Sequence, residues 1–349
     1  MTEIDGHKLM YHPKRITEWM KKGDCFPIYV EIGLTDKCNH KCVFCALDWV
    51  EKDRIEIDFD VLKENIKDMA KNGVKAIMFA GEGEPLLHKN IEEIVKYTKK
   101  QGIDVSITTN GALFDKKKAD EILPYLSWIR FSIDAGTPET YSEVHGVKKD
   151  EFNKVLGNIK YAASLKKKKN LDATIGAQFL LIPDNWTEAD TLAEILDKSN
   201  VDNLQIKPYS QHPNSKNKFD FDYSNTPIIK EALRKVNPKN LEINFREKTI
   251  QRVLEGNAYD QCYGAPFFAL IDAKGNVIPC TLFYNNPEFT YGNIYDNKFS
   301  EIWKSDRRKK VMKRLEERTT KECRHACRLD SLNRYLARLK NPEKHDNFI

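Results

Sequence analysis

The sequence predicts an α/β protein whose main part is a partial barrel of parallel strands. From residue 26 to about residue 209, short apolar or β-branched runs alternate with amphipathic helical stretches, the pattern of repeated βα units. The chain has six such units, fewer than the eight of a closed barrel, so we expect an open, TIM-like partial (β/α)6 barrel. Its functional edge should lie at the C-terminal ends of the strands.

Six segments have the composition of strands, with β-branched and aromatic residues bounded by turn formers. They are FPIYVEIGLT (26–35), KAIMFAG (75–81), IDVSITTN (103–110), WIRFSIDA (128–135), LDATIGAQFLLI (171–182) and NLQIKPY (203–209). The intervening segments have helical periodicity. In VLKENIKDMAKNG, for example, Leu62, Ile66 and Met69 share one face with Val61, and Gly73 ends the helix.

The pattern changes after residue 210, where SQHPNSKNKFDFDYSNTP is polar and aromatic and predicts a long loop or linker. Further on, FALIDAKGNVIPC predicts a hairpin and FSEIWKSDRRKKVMKRLEER a helix. We therefore expect an N-terminal extension (1–25), a partial barrel (26–215), a linker (216–250) and a small C-terminal domain (251–349).

Composition limits the classes of function. With 349 residues, 40% hydrophobic and 31% charged, the chain is typical of a globular protein. No apolar run approaches the ~18 residues needed to cross a bilayer, and the N-terminus lacks the apolar centre of a signal peptide, so we expect a cytoplasmic protein without a membrane partner. The net charge is only +5, and basic residues cluster only at 166–169 and 304–314, which argues against a nucleic-acid partner.

Eight cysteines are present, and their grouping is informative. Three lie at 38, 42 and 45, four at 262, 280, 323 and 327, and Cys25 stands apart. In a reducing compartment such groups predict metal ligands or catalytic thiols rather than disulfides.

The first group lies in TDKCNHKCVFC, directly after the first predicted strand. Three thiolates, Cys38, Cys42 and Cys45, can bind three corners of a [4Fe–4S] cube and leave the fourth iron open to a small molecule. A zinc site would be one ligand short locally, because Phe44 rather than histidine stands beside the last cysteine. The spacing of three and then two residues, with an aromatic before the last cysteine, resembles the signature of the radical S-adenosylmethionine (SAM) superfamily.

This resemblance implies a SAM site. Gly81-Glu82-Gly83-Glu84-Pro85 ends the second strand and is similar to the family's Gly-Gly-Glu pattern, from which Glu82 departs. Glycines there let carbonyl groups approach the ammonium of SAM, and a nearby carboxylate suits a cation. The family also implies SAM contacts from further positions, each of which alone is equally consistent with a turn or cap. They are Phe44, Thr109, Asn110, Ser132, Asp134 and Gln178.

The second group can saturate one cubane, because it supplies four thiols. The sequence around Cys262, Cys280, Cys323 and Cys327 resembles the auxiliary-cluster region called SPASM or, with a single cluster, twitch. The number of cysteines favours twitch, as in the radical SAM dehydrogenase of aminocyclitol antibiotic biosynthesis. A purely structural zinc or iron–sulfur site remains an alternative, and in either case the four cysteines are ligands.

Together, the resemblances imply a radical SAM oxidoreductase with two [4Fe–4S] clusters, SAM, and an external one-electron reductant of the flavodoxin or ferredoxin type. A sugar, cyclitol or nucleotide-sugar type of substrate would lose hydrogen to a 5′-deoxyadenosyl radical and an electron to the auxiliary cluster. Cys25 precedes the first strand, roughly 30 Å from the chemistry at ~3.3 Å per residue, which makes it a poor hydrogen donor. Epimerisation of a similar substrate, modification of a ribosomal peptide, and a non-catalytic iron–sulfur protein remain alternatives.

Substrate contacts are predicted in IKPYSQHPNS, after the last strand of the barrel. Lys207, Tyr209 and His212 are expected to overhang the barrel mouth, where they would hold a sugar, phosphate or nucleotide.

Overall fold

The computed structural model describes residues 7–348. Its helices are α1 (Pro13–Lys22), α2 (Phe59–Lys71), α3 (Ile91–Lys100), α4 (Lys116–Ile122), α5 (Pro138–His145), α6 (Asp150–Lys169), α7 (Ala189–Asp197), α8 (Thr226–Val236), α9 (Glu247–Glu255), α10 (Phe299–Lys304), α11 (Asp306–Glu317) and α12 (Asp330–Lys340). Its strands are β1 (Tyr29–Ile32), β2 (Ala76–Phe79), β3 (Asp104–Thr109), β4 (Trp128–Ser132), β5 (Thr174–Leu181), β6 (Asn203–Pro208), β7 (Glu242–Phe245), β8 (Phe268–Ile271), β9 (Asn276–Ile278) and β10 (Gly292–Asn293). Within these residues no helix has the length and apolar character needed to cross a bilayer.

A single mostly parallel sheet organises the chain, as the sequence predicts. Its strand order is β10-β9-β8-β1-β2-β3-β4-β5-β6-β7, and every pair from β8 to β7 is parallel. All six predicted strands are present within their expected segments. The two terminal strands of the order do not pair with each other, so the barrel is partial rather than closed.

Much of the expected linker at 216–250 is regular structure. It contains α8, the start of α9 and β7, a seventh parallel strand that pairs with β6. The strand is short, and its first residue, Glu242, is exposed, so its sequence lacks the apolar signal of the other strands. The division of the chain into domains stays a prediction.

The C-terminal hairpin is also integrated into this sheet. Strands β8 and β9 are antiparallel, as predicted, but β8 additionally pairs in parallel with β1. The expected single helix at 299–318 is divided into α10 and α11. Ser305 is extended between them and its hydroxyl accepts the Arg308 N–H, because serine is a better helix cap than helix interior.

The two faces of the sheet differ in character. Residues paired in register share a face, and one face is apolar and packs in the main core. Its fully buried residues include Val30, Ile32, Ile77, Phe79, Ile107, Phe131, Phe179 and Ile206. The opposite face is polar and carries Glu31, Ser106, Arg130, Ser132, Gln178, Gln205 and Lys207.

The polar face is the inside of the partial barrel. Glu31 on β1 and Lys207 on β6 are separated in the sheet by β2 to β5, yet the charge of Lys207 lowers the pKa of Glu31 against the larger, opposing effect of burial. Groups so far apart in strand order interact only if the sheet curls and brings them together. We call this surface the inner face.

Candidate active site

The loop after β1 carries the first three cysteines and is held in place from one side by residues 53–55. The carboxylate of Asp36 accepts the backbone N–H groups of Asp53, Arg54 and Ile55 at 2.6, 3.0 and 2.8 Å. The Thr35 hydroxyl donates to the Ile55 carbonyl at 2.5 Å. These bonds fix the entry of the loop before its first cysteine.

The end of α5 holds the same loop from the other side. The N–H groups of Lys41 and Val43 donate to the carbonyls of His145 and Val144, both at 3.0 Å. Burial raises the pKa of the Cys42 thiol well above its usual range, and Asp134, Cys38 and Cys45 add to this electrostatically. The three thiols of the predicted cluster therefore lie on one fixed loop, near enough for Cys38 and Cys45 to act electrostatically on Cys42.

A histidine that the sequence did not single out contacts one of these thiols. His145 is fully buried, and its Nε2 accepts the Asp134 backbone N–H at 3.2 Å. Burial holds the pKa of His145 well below its usual value, so the ring is neutral and its proton is on Nδ1. Nδ1 lies 3.4 Å from Cys42 Sγ and donates to the sulfur. Because His145 is 103 positions from Cys42 in the chain, no local motif could reveal this contact.

The same neighbourhood bears on the alternative of a zinc site. Ligand atoms of His40, Cys42 and His145 lie within 4.8 Å of one another. His40 Nε2, however, lies 3.2 Å from the Glu151 carboxylate, and both nitrogens of His145 are engaged as described. The hydrogen bonds of the two histidines therefore favour a supporting role over metal ligation.

The turn at 81–85 packs directly on the cysteine loop. A Cβ on Gly83 would lie 2.2 Å from the Thr35 carbonyl oxygen and 2.4 Å from that of Lys37, so only glycine fits. The Glu84 N–H donates to the same Lys37 carbonyl at 2.8 Å. Gly81 has a φ of +156° and also approaches β1, where its Cβ would lie 2.7 Å from Gly33 Cα. The two predicted parts of the SAM site are thus in contact.

Both carboxylates of this turn are bound within the protein. Glu84 accepts the Thr109 hydroxyl at 2.7 Å and the Asn110 N–H at 2.8 Å, which joins the turn to the end of β3. Glu82 accepts the Ala273 N–H at 2.6 Å and the Tyr284 hydroxyl at 3.0 Å, which joins it to the C-terminal hairpin. Burial raises the pKa of each carboxyl to about 7. These contacts support the turn, and direct contact with SAM stays a prediction for both residues.

The remaining residues predicted to contact SAM lie around the same end of the sheet. Asn110 Nδ2 donates to Asn39 of the cysteine loop at 2.8 Å, and the Phe44 ring meets His145 edge-on at 5.2 Å. Asp134 is buried and accepts the Leu180 N–H at 2.6 Å. Ser132 on β4 and Gln178 on β5 are register partners on the inner face.

The second cysteine group converges as well. Cys262, Cys280, Cys323 and Cys327 line one cavity with a volume of ≈ 70 Å³. Burial, followed by the charges of the other three thiols, raises the pKa of Cys280 well above its usual range. Asn333 Nδ2 donates to Cys262 Sγ at 3.7 Å, and backbone N–H groups of Leu282 and Leu329 bond to Cys280 and Cys327. Four sulfurs surrounded by N–H donors suit an iron–sulfur cluster.

The three predicted substrate residues do not all overhang the barrel mouth. Lys207 projects from β6 on the inner face, whereas Tyr209 is buried with its ring edge against Phe219. His212 is buried, stacks on Trp49 at 5.5 Å and lines the cavity of the second cysteine group. Burial, aided by the charge of Arg324, lowers the pKa of His212 to about 4. Lys207 and His212 therefore face the interior, and Tyr209 packs against Phe219 rather than overhanging the mouth.

Comparison with known families defines the class of the protein. Residues 32–196 match the radical SAM superfamily, and residues 262–328 match the iron–sulfur cluster-binding domain SPASM. The chain thus contains a radical SAM domain followed by a C-terminal SPASM domain. These two domains imply a [4Fe–4S] cluster, additional cluster capacity in the SPASM domain, and SAM as cofactor.

Individual relatives are more diverse. One relative is a "Tungsten-containing aldehyde ferredoxin oxidoreductase cofactor-modifying protein" of Pyrococcus furiosus. It is 23% identical to this chain over 303 residues, which are 80% of this chain and 81% of the relative. The chain is 38% identical over 148 residues to a GTP 3′,8-cyclase of Limosilactobacillus fermentum, which covers 40% of this chain and 43% of that enzyme.

Two experimental structures establish the likeness of fold. SuiB of Streptococcus suis, bound to its precursor peptide SuiA, superposes with a TM-score of 0.69 at 18% identity, covering 89% of this chain and 71% of SuiB. The protein anSMEcpe with bound AdoMet gives a TM-score of 0.56 at 21% identity, and the match covers 83% of this chain and 81% of anSMEcpe.

Proposed function

We propose that this enzyme is an oxidoreductase that removes hydrogen from a small-molecule substrate and passes the remaining electron to a single auxiliary cluster. Cys38, Cys42 and Cys45 would hold the cluster that binds SAM. Cys262, Cys280, Cys323 and Cys327 would hold the auxiliary cluster. The observation that carries the proposal is the convergence of four thiols on one cavity, because four protein ligands leave a cubane no open iron and suit it to electron transfer.

The protein's own residues prepare the SAM side of the reaction. When bound, the reduced cluster and SAM supply a 5′-deoxyadenosyl radical that takes a hydrogen atom from carbon. Asp36 and the end of α5 fix the cysteine loop, and Gly83 places the 81–85 turn against it. His145 donates a hydrogen bond to the Cys42 sulfur. An electron reaches the site from an external reductant of the flavodoxin or ferredoxin type.

The position of the eighth cysteine supports oxidation over epimerisation by a thiol donor. Cys25 is buried and its Sγ donates to the Pro266 carbonyl at 3.5 Å. It packs in a separate small core with Leu9 and Trp19, at the N-terminal side of β1. Burial raises the pKa of its thiol to about 12. With the other seven cysteines at the two cluster sites, a thiol to quench a substrate radical is lacking in residues 7–348.

Two further outcomes belong to the same chemistry and are separated by experiment. One is epimerisation with a donor other than a thiol, and the other is modification of a ribosomal peptide. The first would place a solvent hydrogen in the product. The second would transfer hydrogen from a peptide to 5′-deoxyadenosine.

The test uses anaerobically reconstituted protein, reduced with dithionite and supplied with SAM. We expect release of 5′-deoxyadenosine, and deuterium in that nucleoside when perdeuterated sugars, cyclitols or nucleotide sugars are added. Cys42→Ala should abolish the release, whereas Cys25→Ala serves as a matched cysteine control and should keep it. Deuterium arriving only from added peptides would contradict the proposal, as would solvent deuterium in the product.

A further inference from the structure

Charged side chains occupy the inner face of the barrel, where most sheets of this kind bury apolar groups. Glu31 lies on β1, Arg130 on β4 and Lys207 on β6, and strand register places all three on the same side. Their neighbours in sequence point to the apolar core on the other side. Glu31 is buried and Arg130 and Lys207 are half-buried, and burying charge is costly unless it is paired or hydrogen-bonded.

Arg130 is the least satisfied of these groups. Its Nε is buried and has no hydrogen-bond partner among residues 7–348, and its guanidinium lies 4.8 Å from the centre of the Trp128 ring. Burial, with the charges of Arg328 and Arg246, lowers the pKa of Arg130 to about 10. A guanidinium stacked on an aromatic ring has a fixed fork of donors, so Arg130 is ready to bind an oxyanion.

Lys207 faces further cations rather than a matched partner. The groups whose charges lower its pKa, after burial itself, are Arg130, Arg324, Arg328 and Arg246. Arg246 follows β7 and its Nη1 donates to Gln205 Oε1 of the inner face at 3.5 Å. Arg324 and Arg328 come from the C-terminal segment, where Arg324 Nε donates to the Ser210 hydroxyl at 2.9 Å. Three separate parts of the chain therefore direct positive charge to one place.

Nearby carboxyls compensate only part of this charge. Glu31 lies 2.8 Å from Arg328 Nε and is committed to that pair. Asp134 is within electrostatic reach of Lys207, but burial raises the pKa of this carboxyl to about 7. Other acidic residues of the same face, Asp104 and Glu242, are exposed at its margins. Among residues 7–348, Arg130 and Lys207 make no ion pair with a carboxylate, so these two positive charges of the inner face are left without an acidic partner.

We propose that the inner face binds a phosphate monoester group of the substrate, with Arg130 and Lys207 as its direct ligands. This inference rests on the proposed function and narrows its substrate class to phosphorylated small molecules. Two uncompensated charges match a dianion, and the planar fork of Arg130 can bind two phosphate oxygens at once.

The site also has a useful position between the two cysteine groups. Glu31, Arg324 and Arg328 line the cavity of the four C-terminal cysteines. On the other side, Lys207 acts electrostatically on Asp134, which in turn influences Cys42. A phosphate held by Arg130 and Lys207 would thus anchor a substrate between the SAM cluster and the auxiliary cluster.

The experiment compares anion binding in variants of the reconstituted enzyme. Isothermal titration calorimetry with inorganic phosphate, and separately with acetate, is done anaerobically in the presence of SAM and without reductant. Arg130→Met and Lys207→Met each remove one charge and keep an apolar stem. Lys117→Met removes an equivalent charge from the exposed surface of α4 and is the control.

We expect one phosphate per chain, bound roughly tenfold or more weakly by either inner-face variant and unchanged by Lys117→Met. Acetate should bind the wild type roughly tenfold more weakly than phosphate, because it carries one charge rather than two. Arg130→Lys keeps the charge and loses the fork, so it should lie between wild type and Arg130→Met. If Arg130→Met fails to fold, Arg130→Lys alone tests the contribution of the Arg130 guanidinium.

Three results would overturn the assignment. They are phosphate binding that is undetectable or equal in all variants, acetate binding that is tighter than phosphate binding, and a loss of SAM affinity equal to the loss of phosphate affinity. The last would show that the cations serve the carboxylate of SAM. Failure of the proposed function is seen separately, as wild-type protein that binds phosphate but releases no 5′-deoxyadenosine from SAM.

Discussion

The two cysteine groups, which we propose as the cluster ligands, are built in opposite ways. The first places Cys38, Cys42 and Cys45 on one short loop, and the loop itself is fixed by backbone hydrogen bonds to residues 53–55 and to α5. The second draws Cys262, Cys280, Cys323 and Cys327 from separate segments around one cavity. A loop of three ligands can leave an iron open for SAM, whereas four ligands from separate segments enclose a cluster and tie the C-terminal part of the fold together.

The largest expected effect is loss of one cluster at a time. Cys42→Ala and Cys280→Ala should each lower the iron content by about four atoms per chain from about eight, because each removes a ligand of one cubane. Cys280→Ala keeps the cluster of the first cysteine group, so adding SAM should change its electron paramagnetic resonance signal. The signal of Cys42→Ala should not change. If SAM alters the signal of Cys42→Ala instead, the roles of the two sites are reversed.

The charged inner face between the two groups should respond to pH. Because Lys207 has a pKa lowered to about 7, chiefly by burial, its charge is lost above pH 7 in the absence of an anion. Phosphate affinity should then fall roughly tenfold per pH unit between pH 7.5 and 9. The calorimetric titration repeated across this range measures the slope, and Lys207→Met should flatten it.

The same shift predicts how stability depends on pH. An unfolded lysine keeps its proton to about pH 10.4, so between pH 7 and 10 the unfolded chain binds more protons than the folded one. Lys207 therefore makes the free energy of unfolding rise with pH in this window, and its penalty is greatest below pH 7. The thermal midpoint of Lys207→Met minus that of wild type should shrink from pH 7 to pH 9, and a constant difference would contradict the assigned shift.

Contact between the two cluster regions depends on Glu82. Glu82→Ala removes the acceptor of the Ala273 N–H and of the Tyr284 hydroxyl, and leaves both buried. We expect a loss of about 1–3 kcal/mol in the free energy of unfolding, measured by chemical denaturation. Tyr284→Phe breaks only the second bond and should cost about 1 kcal/mol. Equal stability of all three proteins would show that the turn and the hairpin are held by other contacts.

The smallest predicted effect concerns His145. Its N–H bond to Cys42 Sγ favours the more negative, reduced state of a cluster, so His145→Phe should lower the reduction potential of the SAM cluster. A bond of about 1 kcal/mol corresponds to roughly 40 mV for one electron. Redox titration of the electron paramagnetic resonance signal in the Cys280→Ala background isolates this cluster. The control is His345→Phe, at an exposed position near residue 348. A higher potential would contradict the assigned donor.

Local patterns in the sequence predicted the parts of this site that are local in the chain. The six strands, the hairpin and the three-cysteine loop follow from period and spacing alone, and the structure has the strands and hairpin where they were expected. Strand β7 was missed because it is short and its apolar signal is weak. The pairing of β8 with β1 was missed because nothing in a hairpin sequence specifies a partner 239 positions away, the separation of Tyr29 from Phe268.

Long-range contacts account for the site residues that were not predicted. His145 and Tyr284 act through partners far from them in sequence, at Cys42 and Glu82. Arg130 did carry a signal, since it is a lone charge inside an otherwise apolar strand, with Ile129 and Phe131 beside it. Such a residue in a parallel sheet indicates an inward-facing functional position.

The central claim is that one cluster has an open iron and the other does not. Mössbauer spectroscopy of protein reconstituted with ⁵⁷Fe, recorded with and without SAM, tests it directly. We predict that SAM changes the spectrum of about one-eighth of the iron, one site in two cubanes, and leaves the rest unchanged. A spectrum that does not respond to SAM, or in which about a quarter of the iron responds, would contradict this account.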